Sequence, residues 1–175
     1  MRGSSVDTLP LSIAQVREIS GFDRLERESD SDEPVADTYT PEGPCREAAD
    51  QVVAFGDDWT VFRSVADGGD LYADRQLSPM VVVAQNVVGY PSEASAGEVF
   101  DRRLKDVREC AALDLPGLGG DVERLDDNTV RWSADGMTTV YAIESDVLVD
   151  ASVVALPDAD RIASEVVAAV LDRIP

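Results

Sequence analysis

Apolar positions in this chain follow two rhythms, one helical and one alternating. Ile13, Val16 and Ile19 recur at helical spacing behind Ser12 and Gln15, a capping-box pair, and Gly21 stops the run. A second helix is predicted from Arg46 to about Phe55, with Ala49, Val52 and Val53 turned inward. After Pro91-Ser92, a long helix reaches about Ala112. Its stripe is Phe100, Leu104, Val107 and Ala111, with Cys110 beside it. Pro157-Asp158 opens a last helix whose apolar face is Ile162, Val166, Val170 and Leu171. Between these lie strands. Trp59 to Val65 follows the turn Gly56-Asp57-Asp58, with Trp59, Val61 and Arg63 on one face and Thr60, Phe62 and Ser64 on the other. Met80 to Tyr90 is nearly continuous β-branched sequence, the pattern of a central strand covered on both faces. The Gly-rich connector Pro116 to Gly120 leads into four short strands, Asp121 to Leu125, Thr129 to Ala134, Met137 to Ile143 and Val147 to Val154. Asp135-Gly136 is a two-residue hairpin signal among their turns.

Runs of strands rather than strict strand–helix alternation predict an α+β fold. The expected layout is a mostly antiparallel sheet of about six strands with helices packed on it. Residues 1–10 read as a disordered lead-in and residues 11–175 as one domain. From Asp23 to Asp50 there are ten acidic and three basic residues, with Pro34, Pro41, Gly43 and Pro44 interspersed, which predicts a solvated loop.

Composition then removes whole classes of function. With 35 acidic and 15 basic residues the net charge is -20, a field that repels nucleic acid and anionic membrane surfaces. Histidine is absent, which excludes Ser-His-Asp and Cys-His nucleophile systems and imidazole-dependent metal sites. Lys105 is the only lysine and lies outside any phosphate-loop motif. No cofactor or metal site is expected. Asp30-Ser31-Asp32-Glu33 lacks the glycine and terminal Glu of a calcium loop, and the Gly-rich connector follows a helix, the reverse of a dinucleotide fingerprint. Cys45 and Cys110 fit no CxxC motif. They are either a disulfide or two buried thiols. No apolar run is long enough to span a membrane, and no signal-peptide core is present. The opening Met1-Arg2-Gly3-Ser4 reads like a vector-derived leader, so the protein is either cytosolic or exported with its signal or anchor outside this sequence.

Carboxylate chemistry remains open, and Asp57-Asp58 is the most suggestive pair, although a polar turn before a strand uses the same residues. No catalytic residue is assigned. Strand aromatics, Trp59, Phe62, Tyr72, Tyr90, Trp132 and Tyr141, are either core or the lining of a ligand cleft.

Several local strings occur in a familiar order. They are Leu11 to Val16, Cys45 before a helix, Phe55 to Val61, the strand Val81 to Val88, and Pro91-Ser92 with Phe100 and Cys110. Arg131-Trp132, and Asp146 to Asp150 before a terminal helix, complete the set. In this order the chain resembles the PknH-like extracellular sensor domain of actinobacterial receptor Ser/Thr kinases and related lipoproteins, across roughly residues 9–174. The 14-to-1 excess of arginine over lysine agrees with a GC-rich source. The resemblance implies an antiparallel sheet with a central cleft for an unidentified ligand and two disulfides. Cys45 and Cys110 match the first pair, while Met137 and Val154 hold the positions of the second. It also implies an extracytoplasmic, membrane-anchored or lipoprotein setting.

The reading that follows is a non-catalytic ligand-binding sensor domain for a small molecule or cell-envelope fragment. Trp59 and Trp132 are expected to line the site, with Arg63 and Arg131 as polar partners. Two alternatives belong to other classes. One is a carboxylate-dependent cell-envelope hydrolase. The other is an interaction module that recruits a protein partner through the acidic loop 23–50.

Overall fold

The β-branched run from Met80 needs cover on both faces, and the computed structural model, which describes residues 6–72 and 78–175, places it mid-sheet. A short 3-10 turn, Val6–Thr8, precedes α1 (Ile13–Ser20), β1 (Glu26–Ser31), α2 (Pro44–Ala49), α3 (Gln51–Phe55) and β2 (Val61–Asp70). Then come β3 (Met80–Gly89), α4 (Glu93–Ala112), β4 (Gly120–Arg124), β5 (Thr129–Ala134), β6 (Met137–Glu144), β7 (Val147–Val154) and α5 (Ala159–Leu171). The strands form one antiparallel sheet in the order β1-β2-β3-β7-β6-β5-β4. It is two meanders joined by the β3–β7 ladder, and α4 carries the chain from the sheet centre to its far edge. The fold is therefore α+β, with seven strands where the pattern predicted about six.

Period-two alternation sorts each central strand between two cores. On one face Val83, Val87, Val140, Val149 and Val153 bury against Val16, Ile162 and Val166 of α1 and α5. On the other, Phe62, Val88, Tyr141 and Leu148 meet Phe55, Phe100, Leu104 and Val107 of α3 and α4. Each such side chain contributes about 1.5–3 kcal/mol relative to exposure. The Ser12–Gln15 capping box forms as expected, and Gly21 closes α1 in the left-handed region. Gly136, at φ 76°, makes the expected hairpin between β5 and β6.

The seventh strand is β1, inside the stretch expected to be a solvated loop. Its residues, Glu-Arg-Glu-Ser-Asp-Ser, carry no apolar alternation, and five of the six are exposed. Main-chain pairing to β2 and two ion pairs hold it, Arg27 to the fully buried Asp67 and Arg63 to Asp30. The expected single helix over 46–55 is two. Asp50 breaks it, and its carboxylate caps α3 by accepting from the N–H groups of Val52 and Val53 at 2.9 and 3.3 Å. That break rotates the faces, so Ala48, Ala54 and Phe55 are buried while Ala49, Val52 and Val53 are exposed. The expected lead-in also ends early. Residues 1–5 lie outside the described residues, but Val6 and Leu9 are buried in the α1–α5 core. The buried Gln85 side chain accepts from the Leu11 N–H at 2.8 Å and donates to the Leu11 carbonyl. Arg173, beyond α5, donates to the carbonyls of Leu9 and Pro10, which draws the two ends of the fold together.

Cys45 and Cys110 are joined, with Cα atoms 4.5 Å apart, and the bond clips α2 to the end of α4. It closes a long loop, which in the chain-entropy treatment corresponds to about 4 kcal/mol. Replacing both cysteines by Ala should lower stability by up to that amount in denaturant titration, and mass spectrometry of untreated protein should find no free thiol. Met137 and Val154, where the resemblance would put a second disulfide, are direct cross-strand partners in β6 and β7. The double variant Met137→Cys, Val154→Cys should therefore oxidise spontaneously in air and raise the melting temperature. Persistent free thiols in the folded variant would show that the pair is not close enough to bridge.

Candidate functional site

A cleft of about 270 Å³ opens between α2–α3 and the sheet face that carries the aromatic core. Its floor comes from alternate residues of β3, β6 and β7, so the sheet pleat points Asn86, Thr139, Asp150 and Ser152 into one place. Ala48, Ala49 and Phe55 form one wall, and Trp132, Met137 and Leu118 line the rest.

A buried ion pair crosses the cleft floor. Arg103, on the inner side of α4, donates from Nη2 to Asp150 Oδ2 at 2.9 Å, with both side chains under a tenth exposed. The guanidinium carbon sits 4.1 Å from the Phe55 ring centre and 5.2 Å from that of Tyr141, so two aromatic faces sheathe the charge. Asn86, the direct register partner of Asp150, donates to its other oxygen at 2.7 Å. Gln51 at the start of α3 donates to Asn86 Oδ1 at 3.0 Å and to the Ser64 hydroxyl at 3.1 Å, and accepts from the Val35 N–H at 2.9 Å. Burial pushes the Asp150 carboxyl above its ordinary range, while Arg103 and the Asn86 amide pull against that shift. Two nitrogens stay unpaired, Arg103 Nη1 and Trp132 Nε1, and a buried donor left so costs about 1–3 kcal/mol.

A larger depression of about 550 Å³ lies at the β1–β2 end, but its arginines are already engaged. Arg17 donates to the Leu25 carbonyl, Arg24 to those of Asp70 and Leu71, and Arg27 to Asp67. That surface offers donors already bonded, whereas the cleft combines apolar walls with convergent polar groups.

Of the four residues expected to line a ligand site, the structure brings only Trp132 to the cleft. Arg131 precedes it in the same strand, so its side chain emerges on the opposite face and binds Glu123 at 2.6 Å and Asp160 at 3.6 Å. Arg63 likewise faces away, toward Asp30 on β1. Trp59 lies before β2 rather than within it. It stacks on Phe62 at 5.9 Å, and Phe62 in turn meets Phe55 at 5.4 Å, which leaves Trp59 two rings behind the cleft wall. Asp57 and Asp58 are exposed in the turn after α3, and Asp150 is the one carboxylate among the described residues lining the cleft. No cluster of three or more metal-binding side chains occurs among the described residues. The residues that sequence reasoning missed are Arg103, Asp150, Asn86 and Gln51. Three of them carried a signal, since Arg103 interrupts the inner stripe of its helix and Asn86 and Asp150 interrupt the two most apolar strands.

A cleft over a mixed-polarity floor, stapled by one disulfide and enclosed by an antiparallel sheet and short helices, belongs to an α+β domain. The model of the PknH-like extracellular domain matches residues 1–173, and the chain belongs to that family. Among solved structures, the crystal structure of the extracellular domain of PknH from Mycobacterium tuberculosis is similar, with a TM-score of 0.73 and 14% identity. The match covers 99% of this chain and 96% of that one. A comparison with curated proteins returned no match. Among the described residues, no helix is long and apolar enough to cross a membrane.

Removing Arg103 alone strands a carboxylate in the interior. Arg103→Met should cost about 3–5 kcal/mol in denaturant titration, and adding Asp150→Asn should recover a large part of that loss. A loss in the double variant equal to the sum of the Arg103→Met and Asp150→Asn losses would show that the pair is not coupled. At the far face, Thr138 and Ser133 hydroxyls and Arg131 hold the Asp160 carboxyl below its usual range. A lowered pKa contributes stability above the ordinary Asp range, near pH 4, that is lost as pH falls through the folded-state value. Asp160 is half exposed, so Asp160→Asn should cost under about 1 kcal/mol at pH 7. The variant should also lose less stability than wild type on acidification to about pH 2.

Proposed function

We propose that this domain is a non-catalytic, extracytoplasmic sensor module, tethered to the cell envelope by a lipid or a membrane helix, that binds a small molecule or envelope fragment in the cleft. The single observation that carries this reading is the cleft itself, where an apolar α2–α3 wall faces a hydrogen-bonded floor on Asp150. Catalysis by that carboxylate is a poor fit, because both its oxygens are committed to Arg103 and Asn86. Membership in an extracellular family and the Cys45–Cys110 bond both suit an oxidising compartment.

Ala49 offers the test, since it lines the cleft from an exposed helix position where a larger side chain is tolerated. Ala49→Trp should block the cleft and leave intrinsic stability within about 0.5 kcal/mol. Fractionated envelope extract should raise the melting temperature of wild type, by about 5–10 °C at a hundred times the dissociation constant, and leave the variant unmoved. Equal shifts in both proteins would place the ligand elsewhere and remove the reading.

A further inference from the structure

Hydrogen-bonding capacity around the cleft is lopsided. Both Asp150 oxygens are taken, Asn86 Oδ1 accepts from Gln51, and Gln51 Oε1 accepts from the Val35 N–H. The Thr139 and Ser152 hydroxyls bond each other at 2.8 Å. Hydroxyl lone pairs of Thr139, Ser152 and Tyr141 can still accept, but the buried atoms with no partner at all are donors. Arg103 Nη1 and Trp132 Nε1 have no partner, on side chains 6% and 5% exposed, and the third such nitrogen among the described residues, Arg63 Nε, is on the opposite face of the sheet. A ligand that completes this site must therefore bring acceptors.

Charge narrows the class further. The guanidinium of Arg103 is already opposed by Asp150, and the whole chain carries a net charge of -20. A carboxylate or phosphate entering here would set two anions around one cation inside the fold. A cation would have to sit beside the Arg103 guanidinium and would leave both donors unpartnered, as a bare hydrocarbon would. Resting on the cleft reading above, we propose that the site takes a neutral, carbonyl-bearing molecule, an amide or acyl fragment with a short apolar body. Its oxygens accept from Arg103 Nη1 and Trp132 Nε1, and its hydrocarbon lies against Ala48, Phe55 and Met137. Protein covers both nitrogens, so the acceptor reaches them when a neighbouring side chain turns aside. Met137, unbranched and flexible, lines the same cleft and can do so.

The chain has two tryptophans, so a nitrogen-15 spectrum contains two indole N–H signals, and Trp59 serves as the internal control for Trp132. Trp132→Phe assigns the signals. Four matched probes are titrated into wild type: cyclohexyl methyl ketone, cyclohexanecarboxylate, cyclohexylmethylammonium and methylcyclohexane. The ketone should move the Trp132 signal, leave Trp59 in place and bind about tenfold more tightly than the other three, the equivalent of one added hydrogen bond. In Trp132→Phe, the ketone should lose most of that advantage over methylcyclohexane. If the carboxylate, the ammonium or the hydrocarbon binds as tightly as the ketone, the carbonyl assignment is wrong while the cleft remains a binding site. If none of the four moves the Trp132 signal, the cleft reading falls and the carbonyl assignment falls with it.

Discussion

The ladder between β3 and β7 is the constraint on which everything else depends. Three strands lie on one side of it and four on the other, and among the described residues no other strand pair joins the two sets. Its register runs from Val82↔Val154 to Gly89↔Val147, pairing residues about 60 to 70 apart in sequence. A slip of one residue would exchange the two faces of a central strand, sending Val83 and Val87 toward the cleft and Asn86 into the α1–α5 core. Asn86 and Asp150 face each other in that ladder, so their hydrogen bond guards the register as well as the site. Such non-local pairing predicts slower folding than a helical domain of this size would show.

Legibility in the sequence followed burial. Where an element hides one face or both, its rhythm showed, as in the capped helix at Ile13, the run from Met80 and the meander from Asp121 onward. The elements held by polar contacts did not show. β1 is polar throughout and is fixed by a partner strand some forty residues later, and Asp50 resets a helix by a buried cap that in the sequence looks like any other loop carboxylate. The site was half legible. Trp132 stood out as a strand aromatic, but pairing it with Arg131 overlooked the alternation that sends neighbours to opposite faces. The stronger signal was the opposite one, polar side chains set inside the most apolar stretches. Arg103 and Asp150 are complementary intruders of this kind, and only the tertiary fold brings them together.

Arginine's dominance over lysine has a structural use. Arg17, Arg24, Arg102, Arg124 and Arg173 each donate to backbone carbonyls at loop or helix ends. A planar guanidinium with several fixed donors suits that task better than a compact, strongly hydrated ammonium. Each guanidinium keeps its charge in these contacts, and the net charge of -20 follows simply from 35 acidic against 15 basic residues.

The contact between Arg173 and the carbonyls of Leu9 and Pro10 has a mechanical consequence. Both ends of the fold leave from the side of the sheet covered by α1 and α5, and the cleft opens on the other. The Arg173 and Gln85 clasps on residues 9–11 hold both ends on that side, away from the helices around the cleft. The domain could be spliced into a surface loop of a host protein, or circularly permuted by a short bridge, with the cleft face undisturbed.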